Sequence, residues 1–199
     1  NEEVTINNAA REPEIVDLCH FLIKMGVSID GVGTSILKIR GHSSNDDIRI
    51  THDVIPDRIE AGTFVAAAIM THSTITLNDI NINHIESVLD NFKKVGLEVS
   101  INSETSITVS HYGEIRARNI KTDVYPGFPT DMQPQWIALM ALSDGFSITE
   151  DTIYHDRFSH IPELIRLGAK ISLNENSATV SGVEKLASTD VMCTDLRAG

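Results

Sequence analysis

The sequence predicts an α/β fold made of copies of one strand-helix-strand-strand unit, with buried helices inside and sheets outside. Three observations lead there: one layout recurs three times, a glycine follows each amphipathic helix, and two further helices are apolar almost all round.

The first copy runs from a strand at Val4-Thr5-Ile6 through a helix opening at Pro13 to Gly26, then strands at Val27-Ser28-Ile29 and Ile36-Leu37-Lys38-Ile39. The second has Ile75-Thr76-Leu77, a helix from Ile85, Gly96, Leu97-Glu98-Val99 and Ile107-Thr108-Val109; the third has Phe146-Ser147-Ile148, a helix from Ile161, Gly168, Ala169-Lys170-Ile171 and Ala178-Thr179-Val180. Ile15, Leu18, Cys19 and Leu22 recur at i, i+3, i+4, i+7, as do Ile85, Val88, Leu89 and Phe92, which is the spacing of one buried helix face. Gly26, Gly96 and Gly168 sit where a left-handed residue ends a helix without steric cost. Pro13 suits a first turn, whose N–H groups have no helical partner, and Asn83 with Glu86 has the spacing of a capping box.

The second and third copies are each preceded by a helix opening on an aspartate, Asp57 in Pro56-Asp57-Arg58 and Asp131 in Thr130-Asp131-Met132, and a third such opening, Thr194-Asp195-Leu196, ends the chain. The first copy lacks one, so the chain is expected to begin inside one unit and to stop at the start of another. The runs FVAAAIM from Phe64 and WIALMAL from Trp136 carry no polar face, as expected of helices buried between layers. They are too short to span a bilayer. Gly31-Val32-Gly33 lacks the third glycine and following helix of a dinucleotide fingerprint and reads as a hairpin loop.

Sixteen Lys and Arg against 28 Asp and Glu give a formal net charge of −12, a field that repels nucleic acid and anionic membranes. An anionic ligand therefore needs a local cluster of cations. Two cysteines, Cys19 and Cys193, without CxxC spacing suggest neither a disulfide framework nor a zinc site, and a reducing cytoplasm fits best. The eight histidines show no metal-ligand spacing, so no metal and no cofactor are expected.

The strings Asn8-Ala9-Ala10-Arg11-Glu12-Pro13-Glu14-Ile15-Val16-Asp17, Pro56-Asp57-Arg58-Ile59-Glu60-Ala61-Gly62, Gly127-Phe128-Pro129-Thr130-Asp131-Met132-Gln133, Arg157-Phe158 and Thr194-Asp195-Leu196-Arg197-Ala198 closely resemble the UDP-N-acetylglucosamine 1-carboxyvinyltransferase family of enolpyruvyl transferases. The resemblance implies a two-lobed enzyme, each lobe an inside-out α/β barrel of three βαβαββ repeats. Residues 1–55 would then end one lobe, and residues 56–199 would form two repeats of the other and the start of a third. It further implies transfer of the enolpyruvyl group of phosphoenolpyruvate to the 3-hydroxyl of UDP-N-acetylglucosamine with release of phosphate. That is the first committed step of peptidoglycan synthesis, hence of cell-wall biogenesis, cell shape and division. The expected partners are those two small molecules, with no nucleic acid and no membrane.

By the same resemblance, Asp131 meets the reacting sugar hydroxyl, Asp195 lies near the reacting carbons, Arg157 and Arg197 hold the phosphoenolpyruvate carboxylate, and the backbone at Ile153 contacts the nucleotide sugar. On spacing alone, Asp131 is expected to be a helix cap, a preference that the Phe128-Pro129-Thr130-Asp131-Met132-Gln133 resemblance reverses, and Asp195 reads equally well as a cap. The family's loop residue that protonates phosphoenolpyruvate matches nothing in the chain, so the chain by itself is expected not to turn over. Two alternatives stand beside this reading: a 3-phosphoshikimate 1-carboxyvinyltransferase-like enzyme, and a non-catalytic binding module of the same fold.

Overall fold

The computed structural model describes residues 3–41 and 49–192, and the chain divides into two compact units, one of residues 1–56 with 124–126 and one of residues 57–123 with 127–199. In the first unit, β1 (Glu3–Asn7) leads through α1 (Pro13–Lys24) to the hairpin of β2 (Ser28–Asp30) and β3 (Ile36–Arg40). Strand β3 pairs antiparallel with both neighbours, so β1 and β2 run parallel on either side of it. Parallel strands need a crossover, and α1 supplies it. Cys19, Ile29 and Leu37 form the small core, with Ile15 and Leu22 packed against them. Burial pushes the Cys19 thiol above its ordinary range. Past β3 in the chain, His52 Nε2 meets Asp17 Oδ1 at 3.0 Å and lies edge-on to Phe21, pinning the outgoing chain to α1.

Leu18 departs from the sequence pattern: it is 49% exposed. At 3.6 residues per turn it stands about 60° from the direction shared by Ile15, Cys19 and Leu22, at the margin of the buried face.

The second unit begins with α2 (Arg58–Met70), followed by β4 (Thr74–Leu77), α3 (Glu86–Val95), β5 (Glu98–Ser103) and β6 (Ser106–Ser110). After β7 (Ile120–Lys121) come α4 (Gln133–Met140), β8 (Phe146–Glu150), α5 (Ile161–Arg166), β9 (Lys170–Asn174) and β10 (Ser177–Ser181). The sheet orders are β1-β3-β2, β4-β6-β5 and β8-β10-β9, with β7 added parallel to β8, so the repeat seen in sequence is a repeat of topology. The three helix ends also agree. Val27, Leu97 and Ala169 each donate to a carbonyl five residues back, and Gly26, Gly96 and Gly168 have φ of 92°, 116° and 94°. This is the Schellman geometry that the glycine spacing predicts.

Helices α2 and α4 pack on each other, α2 against β4 and β6, α4 against β8 and β10. Sheets therefore lie outside and helices inside, as the apolar runs predict. Trp136 on α4 stacks on Phe92 of α3 at 5.8 Å between ring centroids and meets Phe128 edge-on at 5.6 Å, and all three rings are buried. Helix α2 does keep one exposed stripe, Glu60, Thr63, Phe64 and Ala67, so its apolar run is covered on most sides but not all.

Two details of capping separate like sequences. Asp57 caps α2, its Oδ1 accepting from the N–H groups of Ile59 and Glu60 at 2.7 and 3.1 Å. The Asn83-Glu86 capping box does not form. Asn81 instead caps a 3-10 turn over Ile82–His84 by accepting from the Asn83 N–H, and α3 starts at Glu86 without a side-chain cap. The extra turn consumes the residues that the box would have used.

His111, fully buried, places Nδ1 3.2 Å from Nδ1 of His72, and a Cβ on Gly96 would stand 2.9 Å from its Nε2. Burial first, and the His72 charge second, lower its pKa from the ordinary 6.5. Just below pH 6.5 the unfolded chain therefore binds more protons than the folded one. Stability should be intact above that pH and fall as the pH drops below it; urea midpoints between pH 7.5 and 5.5 measure this, and His111→Gln should flatten the slope. Asp57→Ala should lower stability by about 1–2 kcal/mol, read as a shifted urea midpoint at unchanged slope.

Candidate functional site

Pro129 is extended, and the chain then makes a 3-10 turn over Thr130–Met132 that runs directly into α4. Asp131 thus lies within the turn and not at a cap. No side-chain cap bond forms at either boundary. The physical difference from Asp57 is the partner: Asp131 Oδ1 meets Arg157 Nη1 at 2.5 Å, with the two side chains 35% and 18% exposed.

Arg157 is carried by the segment leaving β8. That segment turns sharply because the Asp151 carboxylate accepts from the backbone N–H groups of Ile153 at 3.0 Å and Tyr154 at 2.9 Å. The Arg157 N–H in turn donates to the Tyr154 carbonyl at 3.1 Å. Ile153 is 44% exposed while its N–H is committed to Asp151. Of the residues singled out in sequence, Asp131 and Arg157 are in contact and Ile153 lies on the same loop as Arg157. Asp195 and Arg197, with Cys193, lie outside the described residues.

The pairing offers two functions at one place. A carboxylate can accept a proton from an alcohol within hydrogen-bond reach, and a guanidinium, with five donors of which Asp131 engages one group, can bind a second carboxylate. Arg157 also anchors Asp131, since a charge-assisted contact of this length holds both side chains in one geometry.

Asp151 escaped sequence reasoning. It is fully buried, and besides the two backbone N–H groups it accepts from the hydroxyls of Thr122 and Thr130. The available signal was local: an aspartate just past a strand, followed by residues whose N–H groups it can take, is the pattern of an Asx turn. Thr122 and Thr130 are distant in sequence, and nothing local announces them.

The whole chain, residues 1–199, matches the family model described as EPSP synthase (3-phosphoshikimate 1-carboxyvinyltransferase). Among curated proteins it is 51% identical over 193 residues to a UDP-N-acetylglucosamine 1-carboxyvinyltransferase of Chloroherpeton thalassium, covering 97% of this chain and 44% of that protein. Proteins of the same name from Chlorobium phaeovibrioides and Geotalea daltonii are 49% and 46% identical, over 98% of this chain and 45% and 46% of theirs. The chain spans about half the length of the curated relatives it matches. Among solved structures, the enolpyruvyl transferase NikO from Streptomyces tendae superposes with a TM-score of 0.77 at 22% identity, covering 92% of this chain and 43% of that one, which establishes the common fold. With repeat topology, fold and a family match across residues 1–199 in agreement, the chain belongs to the EPSP synthase (3-phosphoshikimate 1-carboxyvinyltransferase) family of enolpyruvyl transferases.

Proposed function

We propose that the chain is part of an enzyme that transfers the enolpyruvyl group of phosphoenolpyruvate to the 3-hydroxyl of UDP-N-acetylglucosamine, in the cytoplasm, as a step of peptidoglycan synthesis. Residues 1–55 would belong to the end of one lobe and residues 56–199 to the other. The names of relatives at 43–51% identity favour this acceptor over shikimate 3-phosphate. The observation that carries the chemistry is the Asp131–Arg157 pair at the start of α4.

In the proposed reaction the sugar oxygen bonds to C2 of phosphoenolpyruvate as its proton passes to Asp131, and an acid outside this chain protonates C3. The C2–O bond to phosphate then breaks, a proton leaves C3, and the double bond is restored with phosphate released. Arg157, with Arg197, would hold the substrate carboxylate and keep C2 within reach of the hydroxyl. Asp195 would stand near the reacting carbons. With the Ile153 N–H engaged, its carbonyl is the backbone group left to meet the nucleotide sugar.

The test uses the full-length polypeptide that carries this chain and follows phosphate release from phosphoenolpyruvate. Release should require UDP-N-acetylglucosamine, and Asp131→Asn should lower kcat roughly 100- to 10,000-fold, the scale of a lost general base. Arg157→Lys should raise KM for phosphoenolpyruvate about tenfold or more, because an ammonium lacks the planar fork. Release with shikimate 3-phosphate and not with the nucleotide sugar would overturn the assignment.

A further inference from the structure

We infer that Asp151 is a positioning residue that sets Asp131 and Arg157 relative to each other; the inference rests on the function proposed above for that pair. One carboxylate reaches both segments that carry the pair. Its Oδ2 accepts from the Thr130 hydroxyl at 2.6 Å, one residue before Asp131. Its Oδ1 accepts from the N–H of Tyr154 at 2.9 Å, and the Tyr154 carbonyl receives the Arg157 N–H at 3.1 Å. The path from Asp131 to Arg157 through Asp151 is therefore hydrogen-bonded at every link that is not covalent.

Asp151 is itself held from behind. Its N–H donates to the Asn176 carbonyl at 2.9 Å, and its carbonyl accepts from Asn176 Nδ2 at 3.1 Å, which fastens it to the turn between β9 and β10. Thr122 donates its hydroxyl to Oδ1 at 2.8 Å and returns a carbonyl to the Thr152 hydroxyl at 2.6 Å, adding the strand end after β7. Four donors converge on a side chain with no exposed surface. A buried carboxylate is costly to retain, and one with all its donors supplied keeps the loops it joins from moving independently. Asp151 need touch no substrate to matter, since misplacing a reacting group by about 1 Å costs rate on the order of 100-fold.

In the full-length polypeptide, Asp151→Ala should lower kcat roughly 10- to 100-fold with both KM values changed less than about threefold. Asp151→Asn, whose amide oxygen can keep the Oδ1 contacts and whose amide nitrogen can donate to Thr130, should recover most of the rate. Thr130→Val, which cuts only the link to the Asp131 segment, should lose rate in the same sense if Asp151→Ala fails to fold. Val109→Ala, a core truncation in another sheet with a similar loss of unfolding midpoint, should leave kcat unchanged. Amide hydrogen exchange gives a readout free of the assay: residues 128–133 and 151–157 should open together in Asp151→Ala and close again in Asp151→Asn. Loss of rate only in proportion to the unfolded fraction, or exchange rising in 151–157 alone, would overturn the inference. A folded wild type inert towards both substrates would refute the proposed function instead, and the exchange result would then decide the coupling by itself.

Discussion

Burial of α2 and α4 against each other is the constraint from which the rest of the second unit follows. Neither helix has a polar face to give to water on the sides that matter, so each must be covered by a sheet, and each sheet comes from its own repeat. Trp136 locks the arrangement by stacking on Phe92 and meeting Phe128 edge-on. Truncating such a ring costs about 3–5 kcal/mol, whereas exposed ion pairs such as Lys93–Asp90 are worth at most about 1 kcal/mol. Core packing therefore outweighs surface ion pairs in holding α4, and Asp131 stands in the turn that leads into that helix.

The Asp131–Arg157 pair stands on this scaffold where α4 meets the loop after β8, and Asp151 hydrogen-bonds to both segments. Taking a carboxylate out of water costs several kcal/mol, and hydrogen bonds to charged groups return about 1.5–3 kcal/mol each. The Asx turn alone supplies the N–H groups of Ile153 and Tyr154, and the hydroxyls of Thr122 and Thr130 add two further donors to the same carboxylate.

Aspartates that look alike in sequence have separate uses in the fold. Asp57 spends its carboxylate on the first turn of α2, while Asp131, one 3-10 turn ahead of α4, faces Arg157. Both stand before apolar helices, and spacing could not tell them apart. The likeness to a known family favoured Asp131 for chemistry, and the geometry supplies a physical difference between the two. Local patterns also misdirected the Asn83-Glu86 capping box, whose place a 3-10 turn capped by Asn81 takes, and the burial of Leu18, which is exposed.

Local chemistry, readable from the sequence, determined the repeat, its element order, the left-handed glycines that end its helices and the buried character of α2 and α4. Each of these depends on residues within one turn or one strand of each other, and periodicity records them directly. Only the tertiary structure decided that Asp131 meets Arg157, and that Asp151, beyond its local Asx turn, joins Thr122 and Thr130. Those contacts link segments some 20 to 30 residues apart whose closeness comes from the packing of sheets on helices. No spacing along the chain encodes a distance that packing alone creates.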